Sequence, residues 1–189
     1  MISDMNDKIA IHALIFISIC LIALTCEKER NYESWAKKEL NSDVVNDSLF
    51  MGYYFGMSKD EFYDHSWKLN KKQLVTNGGS NMSIKKELDA LDYPATMLFF
   101  PEFKDNKIAK LLVRYRYNGW APWNKEMDAE HLKEDIFDYY KKKFGIEFKK
   151  IEHDGQQKII SIRGNQEIEM TTEHDNSVIL EYRDLRVYW

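Results

Sequence analysis

The side chains able to move a proton or hold a metal are few and scattered in this sequence. Of five histidines, His12 sits in an apolar N-terminal run, while His65 and His131 fall in helical stretches where a surface imidazole is the plain reading. His153-Asp154 and His174-Asp175 differ, because each sets an imidazole beside a carboxylate in a hairpin turn. Two such turns at one end of a sheet would give a metal site of the His/carboxylate type, although aspartate in a turn is explained by turn chemistry alone. The chain has no H-E-x-x-H, no G-x-S-x-G and no phosphate-binding glycine loop, and no serine in a recognisable nucleophile setting. No catalytic residue, cofactor or metal ligand is assigned, and the expectation is a non-enzymatic protein, with a metal-dependent enzyme as the outside reading.

Aromatic residues are the better lead. In Gly119-Trp120-Ala121-Pro122-Trp123-Asn124 a proline between two tryptophans stiffens a loop that carries large flat side chains. Rigid aromatics of this kind serve as protein-interface anchors or as stacking platforms for sugars, since they offer large contact area at low entropic cost. The other reading is that Trp120 and Trp123 plug the core where a strand meets a helix. Tyr115 and Tyr117, just upstream, are the neighbours that would extend a contact surface.

The elements that hold these residues follow an N-terminal segment of a different character. Ile9 to Thr25 is uncharged, and Cys26-Glu27-Lys28-Glu29-Arg30 is charged almost throughout. A membrane-spanning helix needs about 20 apolar residues, and this run is shorter and interrupted by His12 and Ser18. It therefore reads as the hydrophobic region of an export signal over residues 1–25, with an unusual leading segment in which Asp4 and Asp7 oppose Lys8. Both cysteines, Cys20 and Cys26, lie in this part of the chain. A thiol-free domain after Cys26 suits an oxidising compartment and excludes a disulfide framework, a thiolate catalyst and cysteine-ligated zinc there.

The formal net charge is −4, and removing Lys8, Asp4 and Asp7 leaves −3 for residues 27–189. Nucleic acid demands a clustered basic face, so no nucleic-acid partner is expected. Lys141-Lys142-Lys143 and Lys149-Lys150 are short, interleaved with acids, and read as a solvated helix end.

Residues 26–47 read as a polar tether, or alternatively as a short helix around Tyr32 to Leu40 docked on the core, and 48–189 as a single α+β domain. Ser58 and Glu61 form a capping box flanked by Met57 and Phe62 at the positions of a hydrophobic staple, which predicts a helix from Lys59. Strands are expected at Met82 to Leu88, Ala95 to Phe103 and Ile108 to Tyr117. In the third, Leu111, Val113, Tyr115 and Tyr117 alternate with Leu112, Arg114 and Arg116, the period of a half-buried strand. A second helix starts after Asp128, carries Leu132, Ile136, Tyr140 and Phe144 as a stripe, and stops at Gly145. Four more strands follow, at Glu147 to Glu152, Lys158 to Arg163, Glu167 to Thr172 and Val178 to Val187, with Asp-Gly and Gly-Asn turns. The fold expected is α+β, a tandem αβββ arrangement with two helices on one face of an antiparallel sheet and the other face open to a partner.

Two resemblances carry functional implications. Ala23-Leu24-Thr25-Cys26 resembles a bacterial lipoprotein lipobox, which implies a lipid attached to Cys26 and a membrane-anchored product; it departs from the pattern at Ala23 and Thr25. The alternative is that Cys26 is a small buried hydrophobe. Phe55-Gly56-Met57-Ser58-Lys59-Asp60-Glu61-Phe62 resembles the start of the BamE/SmpA-type outer-membrane lipoproteins, and the doubled helix-strand order resembles the β-lactamase-inhibitor-protein-like fold. What these imply is an envelope lipoprotein, periplasmic or facing out at the outer membrane, that binds a protein partner or acts as a scaffold. A carbohydrate or small-ligand binder using Trp120, Trp123, Tyr115 and Tyr117 is the second reading.

Overall fold

A computed structural model of the chain describes residues 32–79, 83–153 and 155–189. Cys26, the signal segment 1–25, the start of the expected strand at Met82, and Asp154 lie outside these residues. The helices are α1 (residues 32–40), α2 (Lys59–Lys71), α3 (Ala129–Phe144) and a last turn, α4 (Leu185–Tyr188). The strands are β1 (Thr76–Asn77), β2 (Ile84–Leu88), β3 (Ala95–Lys104), β4 (Lys107–Tyr117), β5 (Lys149–His153), β6 (Gln156–Arg163), β7 (Gln166–Glu173) and β8 (Ser177–Asp184). They form one antiparallel sheet in the order β1-β2-β3-β4-β8-β7-β6-β5, so two four-stranded meanders meet where β4 pairs with β8.

Local chemistry places the two longer helices where the sequence predicts them. The Ser58 hydroxyl accepts the Glu61 amide while the Glu61 carboxylate accepts the Ser58 amide at 2.8 Å, which satisfies two amides that a helix start leaves without partners. Asp128 accepts the amides of Glu130 and His131, each at 3.1 Å, and Gly145 ends α3 at φ +64°, a conformation that costs glycine little. Between those caps, Ala129, Leu132, Ile136 and Tyr140 are buried at helical spacing.

Register decides which face each strand residue shares. Phe99, Val113, Leu180 and Met170 are successive partners across β3, β4, β8 and β7, and they line the face that packs with Phe62 of α2 and with Leu132, Ile136 and Tyr140 of α3. The opposite face carries Leu98, Arg114, Ile179 and Thr171 in the adjacent row.

The tandem αβββ arrangement with two helices on one face is not what forms. Among the described residues the sheet is a single eight-stranded one with four helices, and α1 lies on the face expected to be open. The cause is β6, where Ile159 packs into the main core while Ile160 and Ile162 point the other way. A strand apolar on both faces needs cover on both. Tyr32 and Ala36 of α1, with Leu185, close a second small core over Ile160 and Ile162. Residues 32–47 are thus docked. The Asn46 amide donates to Asn165 at 2.7 Å, and Arg186 pairs with Asp47. Two smaller differences follow from local effects. The residues after α2 add the two-residue edge strand β1, and β8 stops at Asp184, whose carboxylate caps α4 by accepting the Arg186 amide.

Charge also crosses the second face. Glu102, Lys110, Arg183 and Glu167 are register partners on β3, β4, β8 and β7. Glu167 is 0 % exposed, and its carboxylate accepts the Tyr32 hydroxyl at 2.5 Å and the Arg183 guanidinium. An unpaired buried carboxylate would cost several kcal/mol, so the pair and its third partner on α1 stand or fall together.

Gly164 gives the sharpest test of how the segment after α1, residues 41–47, docks on the β6–β7 turn. It adopts φ +59°, and a Cβ there would meet the Val44 carbonyl oxygen at 2.2 Å. Gly164→Ala is expected to cost about 2–4 kcal/mol in urea unfolding, from backbone strain plus the clash. Gly155→Ala, at φ +71° with nothing within 4 Å of the added carbon, should cost about 1–2 kcal/mol from strain alone.

Candidate binding site

Because α3 buries one stripe, its other stripe is free to build a surface. His131, Glu134, Asp135, Asp138, Tyr139 and Lys142 recur every three or four residues and form one wall of a cleft of about 1070 Å³. The facing wall is Ala90, Asp92 and Tyr93 from the β2–β3 connection, with Tyr117 from the end of β4. Glu126 lies at one end and Lys141, Lys142 and Lys143 at the other. The lysines in the last turn of α3 suit the helix dipole, while Glu134, Asp135 and Asp138 sit in its middle turns, so the polarity of the cleft comes from its side chains.

The floor is rigid. Asp135 accepts the Asp92 amide and the Tyr117 hydroxyl, both at 2.7 Å, and the Tyr93 and Tyr117 rings meet edge to face with centroids 5.5 Å apart. Burial, followed by the Asp135 hydrogen bond, pushes the Tyr117 hydroxyl well above the ordinary tyrosine range. The Tyr93 hydroxyl donates to Glu126 at 3.0 Å and is likewise raised, chiefly by that bond. At the basic end the Lys143 ammonium donates to the Tyr139 hydroxyl at 2.7 Å. Glu134 and Asp138 make no hydrogen bond or ion pair among the described residues.

The aromatic residues singled out from the sequence divide sharply. Trp123 is 85 % exposed, so it plugs nothing, whereas Trp120 is half-buried. Met127 packs its sulfur against Gly119, and the Asn124 amide donates to the Ala121 carbonyl at 2.8 Å, which fixes the loop that presents Trp123. Glu126 of the cleft lies three residues beyond it. Tyr115 and Tyr117 are 1 % and 2 % exposed and belong to the core. The Tyr115 hydroxyl bonds to Tyr140 at 2.8 Å, and Tyr140 to Tyr182 at 2.6 Å, a buried chain whose three hydroxyls are all raised by desolvation. Neither ring can serve as a stacking platform, although the Tyr117 hydroxyl reaches the cleft floor.

The histidine turns do come to the same end of the sheet. Gln156 and Glu173, which flank them, lie on adjacent antiparallel strands near their paired ends. The His153 ring, however, packs on Tyr32 with centroids 4.2 Å apart, and the turn residue His174 is exposed at φ +57°. Asp175 uses its carbonyl to accept the Ala129 amide at the start of α3. Among the described residues no group of three or more His, Cys, Asp or Glu side chains is arranged to hold a metal ion.

Compared with protein-family models, curated proteins and solved structures, the chain finds no match. Function must therefore be argued from the cleft and its rim. The acidic stripe of α3 is visible in the sequence as a solvated helix face. Asp92 and Tyr93 carry no signal there, because the β2–β3 connection reaches the helix through tertiary packing.

His131 offers a pH test. Its Nδ1 lies 3.0 Å from the Asp128 carboxylate, and that hydrogen bond raises its pKa above the usual 6.5. The stability this pair adds is full below the unfolded value and is lost as pH rises through the folded one. Proton NMR should give a His131 midpoint above 6.5, and Asp128→Asn should move it down.

Proposed function

We propose that this protein is a lipid-anchored module of the cell envelope that binds a protein partner through Trp123 and the cleft along α3. The observation that carries the reading is the exposure of Trp123 on a loop held by its own hydrogen bond and by Met127. A large apolar ring kept in water, three residues before Glu126 of the cleft, is the kind of anchor that dominates protein interfaces. No chemistry is assigned to the cleft. The anchor rests on the apolar run Ile9 to Thr25, on Cys26 and on a remainder free of cysteine. The resemblance of residues 55–62 to BamE/SmpA-type lipoproteins supports the same address.

Affinity capture from detergent-solubilised envelopes should retain a discrete protein with the wild-type chain and lose most of it with Trp123→Ala, a change of tenfold or more in affinity for an anchor residue. A glycan-array signal abolished by the same substitution, with no protein captured, would replace this reading with a sugar-binding one. Mass spectrometry of the mature N-terminus is expected to find a diacylglyceryl group on Cys26. An unmodified N-terminus further along would remove the anchor.

A further inference from the structure

The outer face of α3 is uncovered and electrically one-sided over most of its length. From Glu126 to Asp138 the charged residues lining the cleft include Glu126, Glu134, Asp135 and Asp138, with Asp92 opposite; the lysines come together at the far end. Asp135 is engaged with the Asp92 amide and the Tyr117 hydroxyl. Glu134 and Asp138 make no hydrogen bond or ion pair among the described residues, Glu134 acting only through space on His131, and they stand four residues apart, where like charges repel along a helix. Lys142 follows Asp138 at that spacing without pairing with it among the described residues, whereas Glu134 has no lysine four residues on. In that place it has a second carboxylate. Beside these acids lies the ring of Tyr93, whereas the Tyr139 ring already carries the Lys143 ammonium 4.9 Å from its centroid; an aromatic ring next to a carboxylate is the surface on which a guanidinium or ammonium group is best held.

We infer that the cleft takes a basic segment of the protein partner, with arginine or lysine side chains against Glu134 and Asp138 and beside the Tyr93 ring. This rests on the protein-binding reading above and adds the chemistry of what is bound. The 16 residues of α3 span about 24 Å, room for about seven residues of extended chain. Lys141, Lys142 and Lys143 repel a continued basic run, so the segment is basic toward the Glu126 end and neutral or acidic toward the lysines. That polarity sets its direction in the cleft.

The test uses two end-blocked heptapeptides, each with arginines alternating with glycine in one half and only glycine in the other and differing in which half is basic, followed by amide chemical shifts of the isotope-labelled protein. Shifts are expected to concentrate at residues 90–93 and 126–143. Glu134→Lys combined with Asp138→Lys should weaken binding about tenfold or more. Asp43→Lys with Asp64→Lys, which makes the same change in net charge at exposed positions away from the cleft, should weaken it much less. Equal weakening by both pairs, or shifts scattered over the whole surface, would mean unspecific attraction and overturn the inference. Affinity capture separates this from failure of the underlying reading. A partner lost with Trp123→Ala but kept by the Glu134→Lys, Asp138→Lys protein leaves protein binding standing and removes the basic segment.

Discussion

The pairing of β4 with β8 is the contact on which the rest of the molecule depends. Each strand ends its own meander, and their register from Lys110↔Arg183 to Tyr115↔Val178 turns two four-stranded halves into one sheet. That register aligns Val113 with Leu180 on one face and Arg114 with Ile179 on the other. A slip of one residue would exchange the two faces of an entire half. It also fixes α3, which begins with its Ala129 amide on the Asp175 carbonyl of the β7–β8 turn and lays Leu132, Ile136 and Tyr140 across the joined strands.

From that seam the two faces acquire different physics. The helix-covered face is a continuous aromatic and aliphatic core in which three tyrosine hydroxyls satisfy one another. The other face mixes apolar and charged rows, and its buried carboxylate, Glu167, is held by Arg183 from the neighbouring strand and by Tyr32 from α1. Docking of α1 therefore has both an apolar component over Ile160 and Ile162 and an electrostatic one. The cleft belongs to neither face. It exists because α3 needs one stripe for the core and the β2–β3 connection rises beside the stripe left over.

How much of this could be read in advance depends on how local its cause is. The Ser58–Glu61 capping box and the Asp128 and Gly145 ends of α3 act within four residues, and they are where the residue types predict them. The alternation in β4 likewise separates Tyr115 and Tyr117 from Arg114 and Arg116. The arginines mark the wet face, which puts the tyrosines inside, and burial at 1 % and 2 % removes Tyr115 and Tyr117 as surface contacts. Trp120 and Trp123 could serve as plugs or as anchors by type; only packing, with Met127 under the loop, put Trp123 in water.

By itself, the sequence determined the positions of the capped helices, most strands, the inward period of β4, and the apolar run with its terminal cysteine. These are set by interactions between residues close in the chain. Tertiary structure alone decided that the halves fuse through β4 and β8, that α1 covers Ile160 and Ile162, and that Asp92 and Tyr93 face Glu134 and Asp138 across a cleft. Those outcomes join residues more than 40 positions apart. Their energies come from burial and pairing that no single segment can supply.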